Sequence, residues 1–269
     1  MKIKWRFLSL PLIIGILAGS FMFSGCEDEE SEEFWKQFVN DALYALISGD
    51  DFSTLFGWLE QEENLEEIES DIILADDEDL PSRVNLDEYF PPIGNQGEYG
   101  TCVAWATGYN LRTFLDAYSG EYSPTATSYQ YSPKDLFWAI PGSYKGADCN
   151  GTNFEPAFDI MVERGIAKLS DVPYTDLGDC SQSPPTSWDN AASEGKLIRY
   201  RKIFDKDKFD ARGITSSEAV NQFRSYLAQG RAVAIGARLG DNFMMWDNDV
   251  PISSDTYLNP GMQHAYHAM

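Results

Sequence analysis

A glutamine and a cysteine separated by five residues form the stretch of this sequence most suited to chemistry. Residues 95–105 read Asn-Gln-Gly-Glu-Tyr-Gly-Thr-Cys-Val-Ala-Trp, so that Gln96 lies in a loop with two glycines before Cys102. Thr101 stands where a helix N-cap is expected. We therefore predict that Cys102 is the first residue of a helix, where the helix dipole lowers the pKa of the thiol.

The apolar pattern after Cys102 predicts the helix itself. Apolar residues recur every three or four positions, which is typical of one buried helix face. The predicted face consists of Ala104, Gly108, Leu111, Leu115 and Tyr118. An alternative interpretation is that Cys102 is an ordinary core residue, because free cysteines are among the most buried residue types.

Residues 95–105 resemble the active-site loop of the papain-like cysteine peptidases, in which Asn-Gln-Gly and four more residues precede the nucleophile. Tyr99 departs from the family pattern, which often has a disulfide cysteine there, and Val103 replaces the usual tryptophan. The resemblance implies that Cys102 is the nucleophile. It also implies an oxyanion hole formed by the Gln96 amide and the Cys102 N–H, with no metal and no organic cofactor.

The chain has two histidines, and both are followed by alanine near the C-terminus. His267-Ala268-Met269 resembles the family's catalytic His-Ala-(Val/Met) sequence more closely than His264 does. We therefore expect His267 to be the catalytic histidine and Ala268 to line the specificity pocket. His264 remains the competing candidate, at the edge of the cleft.

A second loop resembles the substrate-binding loop of the same family. Residues 149–153 read Cys-Asn-Gly-Thr-Asn, where relatives have Cys-Asn-Gly-Gly. The resemblance implies that Gly151, Thr152 and Asn153 contact an extended peptide, and that the Thr152 side chain narrows the groove. The alternative is an ordinary Asn-Gly turn. Further along, residues 172–174 resemble the family's Tyr-Pro-Tyr segment with its first tyrosine replaced.

The resemblance covers about residues 80–269 and implies an α+β, papain-like two-lobed fold, with a helical lobe, then a β-rich lobe, and the active-site cleft between them. The patterns also predict strands over 196–203 and 232–237, and a helix from Ser216 or Ser217 to Leu227, ended by Gly230. In relatives the chain continues past the histidine to an orienting asparagine. We therefore expect the β lobe to be incomplete in this sequence, as in a truncated reading of a longer gene.

The N-terminal 25 residues are predicted to be a targeting segment. A basic start precedes an almost uncharged run over residues 7–23, and Phe-Ser-Gly-Cys at 23–26 resembles a lipobox. This predicts an exported lipoprotein, attached to the bacterial cell envelope by a lipid on Cys26. A simple signal peptide and an uncleaved membrane anchor are the alternatives. The acidic residues 26–79 are interpreted as a tether in preference to an inhibitory pro-segment.

Two cysteines remain once Cys26 is assigned to lipid and Cys102 to catalysis. We predict that these two, Cys149 and Cys180, form a disulfide, because an exported protein meets an oxidising compartment. In the family, cysteines at such positions usually have other partners, which this chain lacks. Metal binding is a poor alternative, since there are only two histidines and no Cys-x-x-Cys spacing.

Composition limits the classes of partner. The 269 residues carry a net charge of −23 and are 43% hydrophobic, enough for a substantial core. Nucleic acid is not expected as a partner, because a chain this acidic lacks the charge to neutralise phosphates. The sequence does not indicate an oligomeric state.

The resulting prediction is an envelope-anchored papain-like cysteine peptidase that hydrolyses peptide bonds in peptide or protein substrates. An alternative is a tethered, non-catalytic papain-like module that binds peptide or glycan. A transglutaminase-like domain is a third interpretation, because it also uses cysteine and histidine.

Overall fold

The computed structural model describes residues 80–120, 122–203, 216–239 and 265–269. All of them belong to the compact unit Asp50–Met269. The predicted signal segment 1–25, the lipid site Cys26, the acidic segment 26–79 and His264 lie outside the described residues. No helix within the described ranges is both long enough and apolar enough to cross a membrane.

Helices dominate the first part of the described chain. Helix α1 comprises three consecutive segments, Cys102–Ala104, Trp105–Arg112 and Thr113–Tyr118, of which the middle one is a π-helix. The helices that follow are α2 (Pro133–Ala139), α3 (Phe154–Glu163), α4 (Thr186–Ala192) and α5 (Ser216–Ala228). Short 3₁₀ turns lie at Asp87–Tyr89, Gly142–Tyr144, Ala147–Cys149 and Ser193–Gly195.

The π-helical segment changes which face of α1 is buried. The predicted buried face is confirmed at Ala104 and Gly108. It is wrong at Leu115, which is 41% exposed, and at Tyr118, which is 44% exposed. Phe114 is fully buried in their place. A π-helix makes i→i+5 bonds and so has a wider turn than an α-helix. The α-helical period used in the sequence analysis therefore loses its phase after Trp105–Arg112.

The core of the helical part is formed where α1, α2 and α3 meet. Its fully or almost fully buried members include Val103, Ala104, Leu136, Phe137, Ala157, Met161 and Ile166. Gly108 allows α1 to approach this core closely, since a Cβ there would lie 2.8 Å from an Ile166 atom and 2.9 Å from a Leu136 atom. Burying side chains such as Phe137 stabilises the fold by about 1.5–3 kcal/mol each.

The ends of α2 follow from the local sequence. Ser132 is the N-cap, its Oγ accepts a hydrogen bond from the Asp135 N–H at 3.2 Å, and Pro133 occupies the first turn. The same Oγ donates to the Val172 carbonyl at 2.6 Å. The Ser-Pro sequence therefore starts this helix, and its cap also holds the chain around residue 172.

A buried ion pair joins α2 to the end of α3. The Asp135 carboxylate is fully buried and accepts two hydrogen bonds from the Arg164 guanidinium, at 2.8 and 2.9 Å. It also accepts the Ala167 N–H at 2.8 Å. The carboxylate is thus satisfied on both oxygens, which is the condition for burying a charge without a large penalty.

The predicted strand over 196–203 is wrong. The backbone there bends at Ile198 and makes a β-bridge at Lys202 but forms no strand, and the segment packs on α3. The Leu197 N–H donates to the Met161 carbonyl at 2.8 Å, and Tyr200 stacks on Phe158 with ring centroids 5.0 Å apart.

A two-stranded antiparallel sheet follows the helices in the described part of the chain. Strand β1 (Gly236–Leu239) pairs with β2 (Ala265–Ala268), and Ala237 stands opposite His267. Just beyond β1 and β2, Ile235 and Met269 exchange two backbone hydrogen bonds, at 2.8 and 2.9 Å. The strand predicted over 232–237 therefore exists, but it is shifted towards higher residue numbers.

A disulfide joins Cys149 to Cys180, the pair expected from the sequence, with 6.3 Å between their Cα atoms. It closes a loop that contains α3 and the chain around Val172. Asp148 and Cys149 both have left-handed backbone conformations, with φ of 53° and 61°. The cross-link fixes this turn immediately before the predicted substrate-binding loop.

Replacing Arg164 with alanine tests the buried ion pair. We expect the free energy of unfolding to fall by about 3–5 kcal/mol, because the buried Asp135 carboxyl group would lose its charged hydrogen-bond partner. The measurement is urea unfolding followed by tryptophan fluorescence. Lys134→Ala is the matched control, since it removes a 3.2 Å pair with the largely exposed Asp176 and should cost less than about 1 kcal/mol. Equal losses in both variants would contradict this account.

Candidate active site

Cys102 lies at the start of α1 and belongs to the buried core. It is the first residue of the helix, it forms no disulfide, and it is 1% exposed. Thr101 is the N-cap as predicted, but its side chain makes no capping hydrogen bond. The Thr101 hydroxyl is instead 2.8 Å from the Tyr174 hydroxyl. The helix dipole acts on the Cys102 sulfur, because the first turn of a helix favours negative charge.

The loop before Cys102 is held by its own polar groups. Asn95 accepts the Gly97 N–H on its side-chain oxygen at 2.8 Å, and Gly97 takes a left-handed φ of 67°. The Gln96 Nε2 atom donates to the Tyr99 carbonyl at 2.9 Å. A primary amide carries two N–H donors, so this bond orients the amide and remains compatible with a second donation.

Gly100 brings the predicted substrate-binding loop against the Cys102 loop. A Cβ at Gly100 would lie 2.5 Å from Asn150 Oδ1 and 2.6 Å from the Gly151 nitrogen. Gly151 has a φ of 97°, which disfavours any residue with a side chain. These two glycines allow the backbone of residues 150–151 to lie beside the residues that precede Cys102.

Thr152 and Asn153 are turned inwards. Thr152 is fully buried and its hydroxyl donates to the Tyr144 carbonyl at 2.9 Å, while Asn153 is 3% exposed at the start of α3. The expected narrowing of the groove by the Thr152 side chain therefore has no support in its position. The hydroxyl instead holds the loop to the 3₁₀ turn Gly142–Tyr144.

Strand β2 reaches the Cys102 sulfur through its backbone. The Ala268 N–H donates to Cys102 Sγ at 3.3 Å. In an antiparallel pair, hydrogen-bonded and non-hydrogen-bonded positions alternate. Because Ile235 and Met269 form a hydrogen-bonded pair, the next pair, Gly236 and Ala268, is a non-hydrogen-bonded one. The Ala268 N–H therefore points away from β1, and the sulfur is its acceptor.

His267 precedes this contact and is half-buried. Burial lowers the pKa of His267 below its ordinary value of 6.5, because removing an imidazolium from water disfavours its charge. A negative partner opposes that effect. The described part of the chain contains no group of three or more His, Cys, Asp or Glu side chains arranged to bind a metal ion.

One cavity of about 620 Å³ collects several of the predicted site residues. Cys102, Gln96, His267 and Ala268 all line it. Aromatic and apolar residues complete its wall, among them Phe90, Pro91, Ile93, Trp105, Val233 and Met269. Gly151, Thr152 and Asn153 do not line this cavity. The structure thus brings the predicted nucleophile, histidine and oxyanion glutamine together at one cavity, whereas the predicted substrate loop lies beside the residues before Cys102 without lining that cavity.

Tyr174 is a site residue for which the sequence analysis assigned no role. Its hydroxyl donates to the Gln96 carbonyl at 2.8 Å and lies 2.8 Å from Thr101 Oγ1. Burial raises the pKa of Tyr174, so the hydroxyl keeps its proton at neutral pH. The resemblance of residues 172–174 to Tyr-Pro-Tyr marked the position. No local pattern indicated contacts to residues more than 70 positions earlier.

Sequence comparison finds short matches to curated proteins. Cathepsin L 2 and cathepsin L 1 of Paramecium tetraurelia are each 30% identical to this chain over 86 residues. The match covers 32% of this chain and spans about a quarter of the length of either relative. No protein-family profile matches the sequence.

Two solved structures resemble the chain over most of its length. Xylellain, a cysteine protease from Xylella fastidiosa, superposes with a TM-score of 0.59 and 14% identity, covering 80% of this chain and 78% of its own. Digestive procathepsin L2 proteinase from Tenebrio molitor gives a TM-score of 0.51 and 16% identity, covering 93% and 80%. The predicted α+β fold class is therefore confirmed, and the chain has the fold of the papain-like cysteine proteases.

Proposed function

We propose that this chain is a cysteine peptidase that hydrolyses peptide bonds with Cys102 as nucleophile and His267 as its proton partner. The observation that carries the proposal is the 3.3 Å contact between the Ala268 N–H and Cys102 Sγ. It brings the residue after His267 onto the sulfur of a buried helix-terminal cysteine. The fold of known cysteine proteases and the sequence similarity to cathepsin L proteins support the same activity.

The first half of the reaction forms a thioester. The Cys102 thiolate attacks the carbonyl carbon of the peptide bond, and the carbonyl oxygen becomes an oxyanion. The Gln96 amide and the Cys102 N–H are the proposed donors to it, since the first N–H groups of a helix have no intrahelical acceptor. The C–N bond then breaks as His267 gives a proton to the leaving amine.

The second half consumes water. His267, now neutral, accepts a proton from a water molecule whose oxygen attacks the thioester carbonyl. Collapse of that intermediate releases the carboxylic acid and regenerates the thiolate–imidazolium pair. This pair needs electrostatic support, because burial alone lowers the pKa of His267. The proposed support is the negative sulfur, itself stabilised by the helix dipole and by the Ala268 N–H.

The proposed substrates are peptides or proteins, and the proposed location is the bacterial cell envelope. The proposed location rests on residues 1–26, which combine a basic start, an uncharged run and a lipobox-like sequence ending at Cys26. Residues 26–79 would then hold the catalytic part away from the membrane, because their acidic composition favours a solvated tether.

Labelling with radioactive palmitate in a bacterial host tests the anchor. We expect label in the wild-type chain and none in Cys26→Ala, since the acyl chains are attached through the Cys26 lipid. Cys102→Ala is the control and should keep the label. An unlabelled wild-type chain would exclude the lipoprotein: release from the membrane would then indicate a simple signal peptide, and retention an uncleaved anchor.

Hydrolysis of fluorescently labelled casein by the full chain tests the assigned roles. Cys102→Ala should abolish turnover, because no thioester forms. Gln96→Ala should lower the rate by roughly 10²–10³, the typical effect of losing one oxyanion donor. Gln182→Ala is the matched control, since that glutamine lies in an exposed loop and bonds to Asp179, and its rate should be unchanged. If Cys102→Ala cleaved casein at the wild-type rate, the nucleophile would be another residue.

The pH dependence of alkylation by iodoacetamide tests the ion pair. At pH 6 an ordinary thiol, with a pKa near 8.5, is less than about 1% thiolate. A thiolate paired with His267 persists at that pH, so the wild-type rate at pH 6 should lie within about tenfold of its rate at pH 9. In His267→Gln the rate at pH 6 should fall to that of an ordinary thiol. If the wild-type thiol reacts at pH 6 as slowly as an ordinary thiol, and the chain still binds peptide, the non-catalytic binding module would be the better interpretation.

A further inference from the structure

The Tyr174 hydroxyl connects the two ends of the loop that carries the proposed oxyanion donors. It lies 2.8 Å from the backbone carbonyl of Gln96 and 2.8 Å from the Thr101 hydroxyl. Gln96 supplies one of the proposed donors from its side chain, and Thr101 directly precedes the other, Cys102. A single side chain therefore contacts the loop at both places that decide how far apart the two donors are.

The chemistry of the three groups fixes the direction of both hydrogen bonds. The Gln96 carbonyl can only accept, so the single Tyr174 hydroxyl proton goes to it. The Tyr174 oxygen must then accept from Thr101, which donates its own hydroxyl proton. Hydrogen bonds in such a chain polarise one another and strengthen in a buried setting. This use of the Thr101 hydroxyl also explains why it does not cap α1.

Tyr174 itself is held on a rigid part of the chain. The Val172 carbonyl accepts the Ser132 hydroxyl at 2.6 Å, and the Val172 N–H donates to the Lys168 carbonyl at 3.1 Å. Pro173 restricts the backbone between Val172 and Tyr174. The position of the hydroxyl is thus set from the α2 side of the fold.

Aromatic packing fixes the orientation of the Tyr174 ring. The ring lies edge-on to Trp105, with centroids 4.9 Å apart, and edge-on to Tyr99, with centroids 6.3 Å apart. Such pairs contribute beyond the area they bury. Because Trp105 is in the first turn of α1 and Tyr99 is in the loop, the ring contacts both segments that its hydroxyl ties together.

We propose that Tyr174 is a positioning residue, whose hydroxyl holds Gln96 and Cys102 at the separation that one oxyanion requires. This inference rests on the proposed peptidase function. The hydroxyl touches neither the sulfur nor the substrate, so its removal should weaken stabilisation of the oxyanion and leave the reactivity of the thiol itself unchanged. That division distinguishes positioning from a general structural role.

The test compares two reagents on the full chain with Tyr174→Phe, which keeps the ring and removes only the hydroxyl. The peptide aldehyde acetyl-Leu-Leu-argininal adds reversibly to the thiol and forms a hemithioacetal whose oxygen occupies the oxyanion hole. Iodoacetamide alkylates the thiol without forming an oxyanion. We expect the dissociation constant of the aldehyde to rise about tenfold, the effect of roughly one hydrogen bond, and the alkylation rate to stay within twofold of wild type.

Two further variants complete the experiment. Tyr122→Phe is the matched control, because Tyr122 is 42% exposed and stacks on Tyr129 away from the cavity, and both readouts should remain at wild-type values. Thr101→Val removes the hydroxyl that donates to Tyr174 and keeps the Tyr174 bond to Gln96. It should weaken aldehyde binding in the same direction, but less than Tyr174→Phe.

Unchanged aldehyde binding in Tyr174→Phe would overturn the inference, and so would an equal loss in both readouts, which indicates a general structural role. Failure of the peptidase function is recognised separately, by a wild-type chain that binds no aldehyde. In that case hydrogen exchange decides whether the Tyr174 hydroxyl holds the loop through its hydrogen bonds to Gln96 and Thr101. The Thr101 N–H, which donates to the Tyr99 carbonyl at 2.8 Å, should exchange faster in Tyr174→Phe. An unchanged exchange rate would show that the Tyr174 hydroxyl does not hold this loop.

Discussion

The rest of the site depends on the complete burial of the start of α1. Thr101 and Cys102 are almost inaccessible to water, although a helix N-terminus carries N–H groups that need acceptors. Water cannot supply them freely, and the Thr101 hydroxyl is committed to Tyr174. A buried N-terminus with positive character, lacking a side-chain cap, is electrostatically suited to a developing negative charge. The same burial that makes this position costly for the fold makes it effective for an oxyanion and a thiolate.

Burial disfavours a charge on His267, whereas the surroundings of the Cys102 sulfur favour one. Burial lowers the pKa of His267, which opposes the imidazolium, while the helix dipole and the Ala268 N–H favour a negative sulfur. The two charges therefore support each other, and neither is expected to form well alone. The buried Asp135 solves the same problem differently, through a permanent bidentate bond to Arg164. A permanent partner stabilises the fold, whereas the proposed reaction needs a partner that exchanges its proton.

Sequence reasoning succeeded where local chemistry decides the structure. The start of α1 at Cys102 and the end of α5 near Gly230 follow from capping and glycine conformations within a few residues. It failed where distant contacts decide. The Leu197 N–H bonds to the Met161 carbonyl of α3, where a strand was predicted, and the π-helical segment, which an α-helical period does not represent, changed the phase of α1. The role of Tyr174 depends on contacts across more than 70 residues, which no local pattern encodes.

The register of the sheet decides how β2 meets the sulfur. Because Ile235 and Met269 form a hydrogen-bonded pair, the Ala268 N–H points away from β1 and reaches Cys102. A slip of one residue would exchange the two kinds of pair, turn this N–H towards β1, and move every side chain of the strand to the other face. His267 and the donor to the sulfur would then be lost together. Helix α1 positions Cys102, and the pairing of β1 with β2 brings the Ala268 N–H to its sulfur and His267 to the same cavity.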